Sequence, residues 1–402
     1  MAAPGDDARL ARLADIAVKV GANVQPGQLV VVLALVEAAP AARAVAASAY
    51  RAGARFVDVK YVDRHLTRAL IELGPDDSLG WSAPWDMTLF ETMAAEHAAY
   101  IQVAGEYDPN LLADLDGSKV GRARPRDVFG LWGRLVSERK VAWTIVPAPT
   151  PAWATEVFGR PDVDKLWTAI EKALRTDRPD PASAWRARLD RLEEIATELT
   201  ARRFDAIRYR GPGTDLTVGL LPSGRWRSGK FETAFGQSHV PNLPTEEVFT
   251  SPDKNRAEGK VRSTRPLNLR GNIVRDLEFR MHDGRIVEVR ATSGADVIRS
   301  QIAVDADAGR LGELALVDGS SEVGKLGLTF FETLFDENAT CHIAYGDGFN
   351  FCVDDEADQR SGLSSSVEHT DFMVGGPEVD VDGRESSGSW VPILRGDEFQ
   401  IA

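Results

Sequence analysis

At 402 residues, with 43% hydrophobic and 27% charged content, the sequence is that of a folded globular protein long enough for two domains. A net charge of -14 argues against nucleic acid, whose phosphates need clustered Lys and Arg, and two cysteines in so long a chain exclude a disulfide framework. The opening MAAPGDDARL lacks the basic region and apolar stretch of a signal peptide, and the most apolar run, 29–36, is too short for a membrane span. No nucleic acid, no membrane and a cytoplasmic location are therefore expected.

The first hundred residues alternate helical and extended patterns. Leu10, Leu13, Ile16, Ala17 and Val20 recur at helical spacing, and Gly21 follows as a C-cap. QPG precedes the strand LVVVLALV, an Ala-rich helix covers Ala38 to Arg51, and Gly53 punctuates before the strand RFVDVKYV. A helix from Arg64 and the strand AAYIQVAG near residue 100 complete the series. Continuously apolar strands separated by helices predict a parallel sheet covered on both faces. No Gly-rich phosphate loop follows any of these strands, so a Rossmann-like shape here carries no nucleotide implication.

Further on, a helix is predicted near Asp127 to Arg139 and a strand at KVAWTIV, with prolines at 147, 149 and 151 forcing a break. A long amphipathic helix over Pro181 to Arg203 places Trp185, Leu189, Leu192, Ala196 and Leu199 on one face, the pattern of a helix packed on a sheet. After Arg203 short strands and turns dominate, among them DAIRYRG, TDLTVGLL, CHIAYG, HTDFMVGG and WVPILRGDEFQIA. DLEFRMHDGRIVEVRA reads as a hairpin about its HDG turn. The expected fold is α/β: an N-terminal doubly wound parallel-sheet domain over 1–108, then a larger α+β, strand-rich catalytic domain over 109–402.

Two of the six histidines sit in unusual company. In a strand, positions i and i+2 project to one side, so His369 and Asp371 of HTD point together and make a metal half-site or a simple hydrogen-bonded pair. Glu313 lies in the apolar strand LGELALV, where burying a carboxylate is costly unless it is paired or metal-bound. Glu247 follows a proline-bounded loop in PTEEVFTSP, and Glu337 of FDENATCH precedes His342 by five residues. Two imidazoles with several carboxylates form a mixed N/O shell suited to Zn, Co or Mn, and a carboxylate with two oxygens can bridge two such ions.

PNLPTEEVFTSPD, LGELALVD, FFETLFDENATCHIAYG and EHTDFMVGGPEVDVDG closely resemble the motifs of the aminopeptidase T and aminopeptidase S family of metallo-aminopeptidases, in the same order and at compatible spacings. GPGTDLTVGL, just upstream, is similar as well. The resemblance implies an N-terminal α/β domain and a C-terminal catalytic domain, assembled as a homodimer around an enclosed cavity that admits short peptides. It implies two divalent metal ions per chain held by Glu247, Glu313, His342, His369 and Asp371, with Glu313 as the bridging carboxylate. Glu313 or Glu337 then relays a proton in catalysis, Glu337 being a ligand or a neighbour of the metals. One departure stands out: the family's tyrosine seven residues after the first motif histidine is Phe349 here, and phenylalanine cannot donate to an oxyanion. Tyr345 or another donor would have to compensate.

Two rival readings remain. His342, His369 and Asp371 alone can form a facial triad for a single Fe(II), as in ring-cleaving dioxygenases of the dihydroxypyridine type, which resemble the same family. A catalytically silent dimeric metal-binding protein is the other. Glu247 and Glu313 favour the hydrolase, since a facial triad has no use for them. Cys341 beside His342 faces the opposite side of a strand and is expected to be a packed thiol behind the site.

Overall fold

The computed structural model describes residues 6–105, 111–112, 114–269 and 272–401. The opening MAAPG, the expected boundary at 108/109 and the final alanine lie outside the described residues. The chain forms two compact units, Met1–Arg186 with Lys230–Pro244, and Ala187–Gly229 with Thr245–Ala402. The first unit thus runs well beyond residue 108. The reason is the strand Ala142–Pro147, which pairs in parallel with Ala99–Ala104 and extends the N-terminal sheet. Ile145 also donates its amide to Pro241 and accepts from Leu243, which ties the 230–244 segment to the same unit.

In the first unit four parallel strands run in the order Phe56–Val62, Leu29–Leu35, Ala99–Ala104, Ala142–Pro147. Successive strands are parallel, so each connection crosses a face of the sheet, and helices Ala39–Arg51, Arg64–Leu73 and Arg126–Ser137 lie on those connections. The expected first helix is α-helical over Asp6–Ile16 and continues as a π-helical turn over Ala17–Gly21. The prolines after Ala142–Pro147 do end that strand, and Pro151 then opens a helix to Phe158 that Thr150 caps by accepting from the Trp153 amide. Among the described residues no helix is long and apolar enough to cross a membrane.

The second unit is antiparallel. A five-stranded sheet runs His369–Met373, His342–Gly346, Leu311–Leu316, Val248–Thr250, Arg227–Ser228, and an eight-stranded sheet is centred on Pro252–Arg262, Thr214–Leu220 and Ala206–Gly211. Phe279 of the larger sheet meets Tyr345 and Phe372 of the smaller at 5.7 and 5.0 Å, so the two pack face to face. Leu192, Ile195, Ala196 and Leu199 of the helix Pro181–Arg202 join the same core, as its apolar stripe predicts. Burying each such leucine contributes roughly 1.5–3 kcal/mol. One face of the five-stranded sheet is therefore committed to the core, and chemistry is left to the other.

Candidate metal centre

Strand register decides which residues share that other face. Glu313 lies opposite Ala344, and Ala344 opposite Asp371; His342 lies opposite Ala315, and Ala315 opposite Phe249. Paired residues project to the same side, and so do residues two apart. Glu313, His342, His369 and Asp371 therefore all stand on one face, joined by Glu247 two residues before Phe249. Ala344 and Ala315, both fully buried, are the small floor between them. Glu337 comes from the turn Glu337–Ala339.

The cluster is tight. His342 Nε2 is 3.0 Å from Glu247 Oε2 and 4.0 Å from Asp371 Oδ1. His369 Nε2 is 3.2 Å from Glu313 Oε2 and 3.6 Å from Asp371 Oδ1. The potential ligand atoms fall into three overlapping groups: Glu247, Glu313 and His342; Glu313, His369 and Asp371; and Glu337, His342 and Asp371. Within each group they lie within 4.8 Å of one another. Glu313 is common to the first two. His369 is the rim of the site with its side chain 28% exposed, whereas that of His342 is 1% exposed.

Both imidazoles are oriented from behind. His342 Nδ1 bonds the carbonyl of Glu337 and His369 Nδ1 that of Asp347, each at 2.8 Å. Donation from Nδ1 turns each Nε2 lone pair toward the carboxylates, the usual arrangement of a metal-binding histidine. Glu247 Oε2 and Asp371 Oδ1 are buried without a hydrogen-bond donor. A ring lone pair facing an orphaned carboxylate oxygen needs positive charge between them, either a proton or a cation. Divalent ions fit this donor set.

The electrostatics point the same way. Burial pushes Glu313 up to about 6, helped by the negative charges of Asp371 and Glu247 and opposed by His369. Burial, Asp371 and Glu247 raise Glu337 well above the usual carboxylate range. For His342 and His369 burial disfavours the charged ring, but the surrounding carboxylates outweigh it and hold both pKa values well above the ordinary histidine value. Asp371 is also penalised by burial, yet His369 and His342 keep it low. Without metal the cluster thus retains protons where cations would bind.

Phe349 does not reach into a donor's role. Its ring lies 5.1 Å from that of His369 and stacks with Phe351 at 5.2 Å, and Phe249 closes an aromatic wall at 5.6 Å. Tyr345, weighed as a replacement for the missing phenol, lies on the core face with its hydroxyl donating to Gln301. Alternation along the strand turns it away, so it does not compensate. Cys341 is buried, its thiol bonded to the Val317 carbonyl and pushed up to about 12 by burial. Three residues that sequence reasoning passed over surround the site: Arg188, Glu246 and Asn338. The fully buried Glu246 in TEE and Asn338 in FDEN were the available signals.

Strand-borne imidazoles and carboxylates over a small-residue floor, with unsatisfied buried oxygens, are the donor set of a metal-dependent enzyme. Residues 6–399 match the family described as Thermophilic metalloprotease (M29), and the chain belongs to that peptidase family. It is 42% identical to aminopeptidase T of Thermus thermophilus over 399 residues, covering 96% of this chain and 97% of the relative. It is 35% identical to aminopeptidase 2 of Geobacillus stearothermophilus, with 98% of both covered. The solved structure of wild-type AmpT from Thermus thermophilus superimposes with a TM-score of 0.90 at 41% identity, over 98% of this chain and 99% of that one. The protein is a peptide hydrolase of the metallo-aminopeptidase kind, with the α/β and antiparallel architecture expected of it.

Proposed function

We propose that the chain releases N-terminal residues from short peptides with two divalent ions, Zn, Co or Mn, held by Glu247, Glu313, His342, His369 and Asp371. The observation that carries this reading is that Glu313 joins the group containing His342 to the group containing His369, with two oxygens to divide between them. When bound, such ions polarise a scissile carbonyl and lower the pKa of a water toward about 7. Glu313 keeps the two positions adjacent. Glu337, which holds a proton in the metal-free cluster, stands as a carboxylate once bound cations supply the positive charge; it then takes one proton from the attacking water and passes that proton to the departing amine. A carboxylate of the cluster pairs with the substrate's ammonium group and restricts cleavage to the free end. Phe349 gives the developing oxyanion no hydrogen bond, and its ring forms part of the apolar wall beside His369. A homodimer working in the cytoplasm belongs to the same proposal.

The test is to strip the protein of metal, reload it with Zn, Co, Mn or Fe(II), and follow release from unblocked and N-acetylated peptides. Metal-dependent release abolished by acetylation is the expected result. Two bound ions with no release from any peptide would overturn it. Release of nothing but Fe(II)-dependent ring-opened product from a dihydroxypyridine would move the facial-triad reading forward.

A further inference from the structure

Behind the ligand face runs a second polar cluster, which meets that face where Asn338 Nδ2 donates to Glu337 Oε1 at 3.4 Å. Arg188, on the helix Pro181–Arg202, has a side chain only 9% exposed, and the Glu246 side chain is fully buried. Arg188 Nε donates to Glu246 Oε2 at 2.7 Å, while Nη2 donates to the Glu246 backbone carbonyl at 3.1 Å. Glu246 donates its amide to Asn338 Oδ1 at 2.6 Å, and Asn338 Nδ2 is anchored on the Leu334 carbonyl at 2.9 Å. The backbone leading into Glu247 is thus clamped from both sides. The same turn supplies the Glu337 carbonyl that orients His342. His369 is oriented from elsewhere, by the Asp347 carbonyl.

A buried ion pair is a poor device for stability alone, because desolvation offsets much of its attraction and apolar side chains of similar volume serve as well. Its value here lies in where it puts Glu247. A carboxylate held in place binds a cation more tightly than one that must be ordered on binding, and outer partners of this kind typically change metal affinity by about 10–100-fold. We infer that Arg188, Glu246 and Asn338 are positioning residues for the metal position served by Glu247 and His342, and leave the position served by His369 and Asp371 untouched. The two positions are therefore unequal in affinity by construction. This rests on the paired-metal reading proposed above.

The experiment is a Co(II) titration of the chelator-stripped full chain, read by visible absorption and by competition with a chromogenic chelator. Wild type is compared with Arg188→Lys and with the double variant Arg188→Met/Glu246→Met, folding being checked by circular dichroism. In the double variant one cobalt equivalent weakens by about 10–100-fold while the other is unchanged. Arg188→Lys, which keeps the charge but loses the two-armed donation, gives a smaller shift of the same equivalent and carries the test if the double variant does not fold. A merely structural role would shift both equivalents together, and that result, or no shift in either, overturns the inference. A single cobalt equivalent in wild type would instead sink the paired-metal reading before any variant is compared.

Discussion

His239 allows a prediction of definite size. Its side chain is almost wholly buried, 4% exposed, near the rings of Phe231 and Trp143, and its Nδ1 has no hydrogen-bond partner. Burial alone lowers its pKa from 6.5 to about 4. The unfolded chain therefore takes up this proton near pH 6.5, the folded chain only near 4. Between those values the unfolded state binds more protons, so stability is present above 6.5 and is lost as pH falls through the window. At about 1.4 kcal/mol per pKa unit, the loss comes to roughly 3 kcal/mol. His239→Leu keeps a similar volume, cannot be charged, and no longer buries an unsatisfied nitrogen. Urea unfolding of metal-free wild type and variant, from about pH 7.5 down to about pH 4, isolates the difference, since carboxylate effects are common to both. The stability gap in favour of the variant should widen by roughly 3 kcal/mol on acidification. Parallel curves would show that His239 gains a partner or water in solution and would refute the reasoning.

Other outcomes follow from the metal centre. Glu313→Ala and His369→Ala should each lose bound metal and peptide hydrolysis together, measured by elemental analysis and amine release; retention of both properties would remove these residues from the ligand set. Phe349→Tyr places a phenol beside His369, and kcat should rise by about tenfold or more with KM little changed, because a donor at an oxyanion is worth about 100-fold or more where the site is built for it. An unchanged kcat would mean that another group already serves the oxyanion. Chelation should lower the thermal midpoint and reloading restore it, since ligand at about 100 times its Kd stabilises a folded protein by about 2.7 kcal/mol per site; a midpoint indifferent to chelator would contradict metal binding by the folded chain.

Much of this was written locally. The strand at Leu29–Leu35 follows from an unbroken apolar run, and the buried face of the Pro181–Arg202 helix from a stripe at helical spacing. The common orientation of His369 and Asp371 needs only the two-residue period of a strand. That period also turns Tyr345 away from the ligands, so its failure as a substitute donor was legible too. What the sequence does not display is pairing over distance. Residues 230–244 enter the first unit through a bridge between Asn242 and Ile145, and their own two-residue strands, Phe231–Glu232 and Ser238–His239, pair with each other and are too short to announce themselves. Arg188 meets Glu246 across 58 residues and Glu246 meets Asn338 across 92, separations at which no periodicity informs. The fourth parallel strand reads as a strand from its own residues, but nothing local assigns it to the N-terminal sheet.

The alanine floor at positions 344 and 315 has a consequence for how such a centre tolerates change in length. Removing or adding one residue within His342–Gly346 would invert every side chain beyond it, carrying Tyr345 onto the floor and Ala344 into the aromatic core. The connection 347–368, which carries the short helix Glu356–Gly362, can change length without disturbing that parity, provided Asp347 still offers its carbonyl to His369. Among relatives, indels should accordingly fall between the ligand-bearing strands and spare their interiors, while a two-residue change inside a strand would do less harm than a change of one.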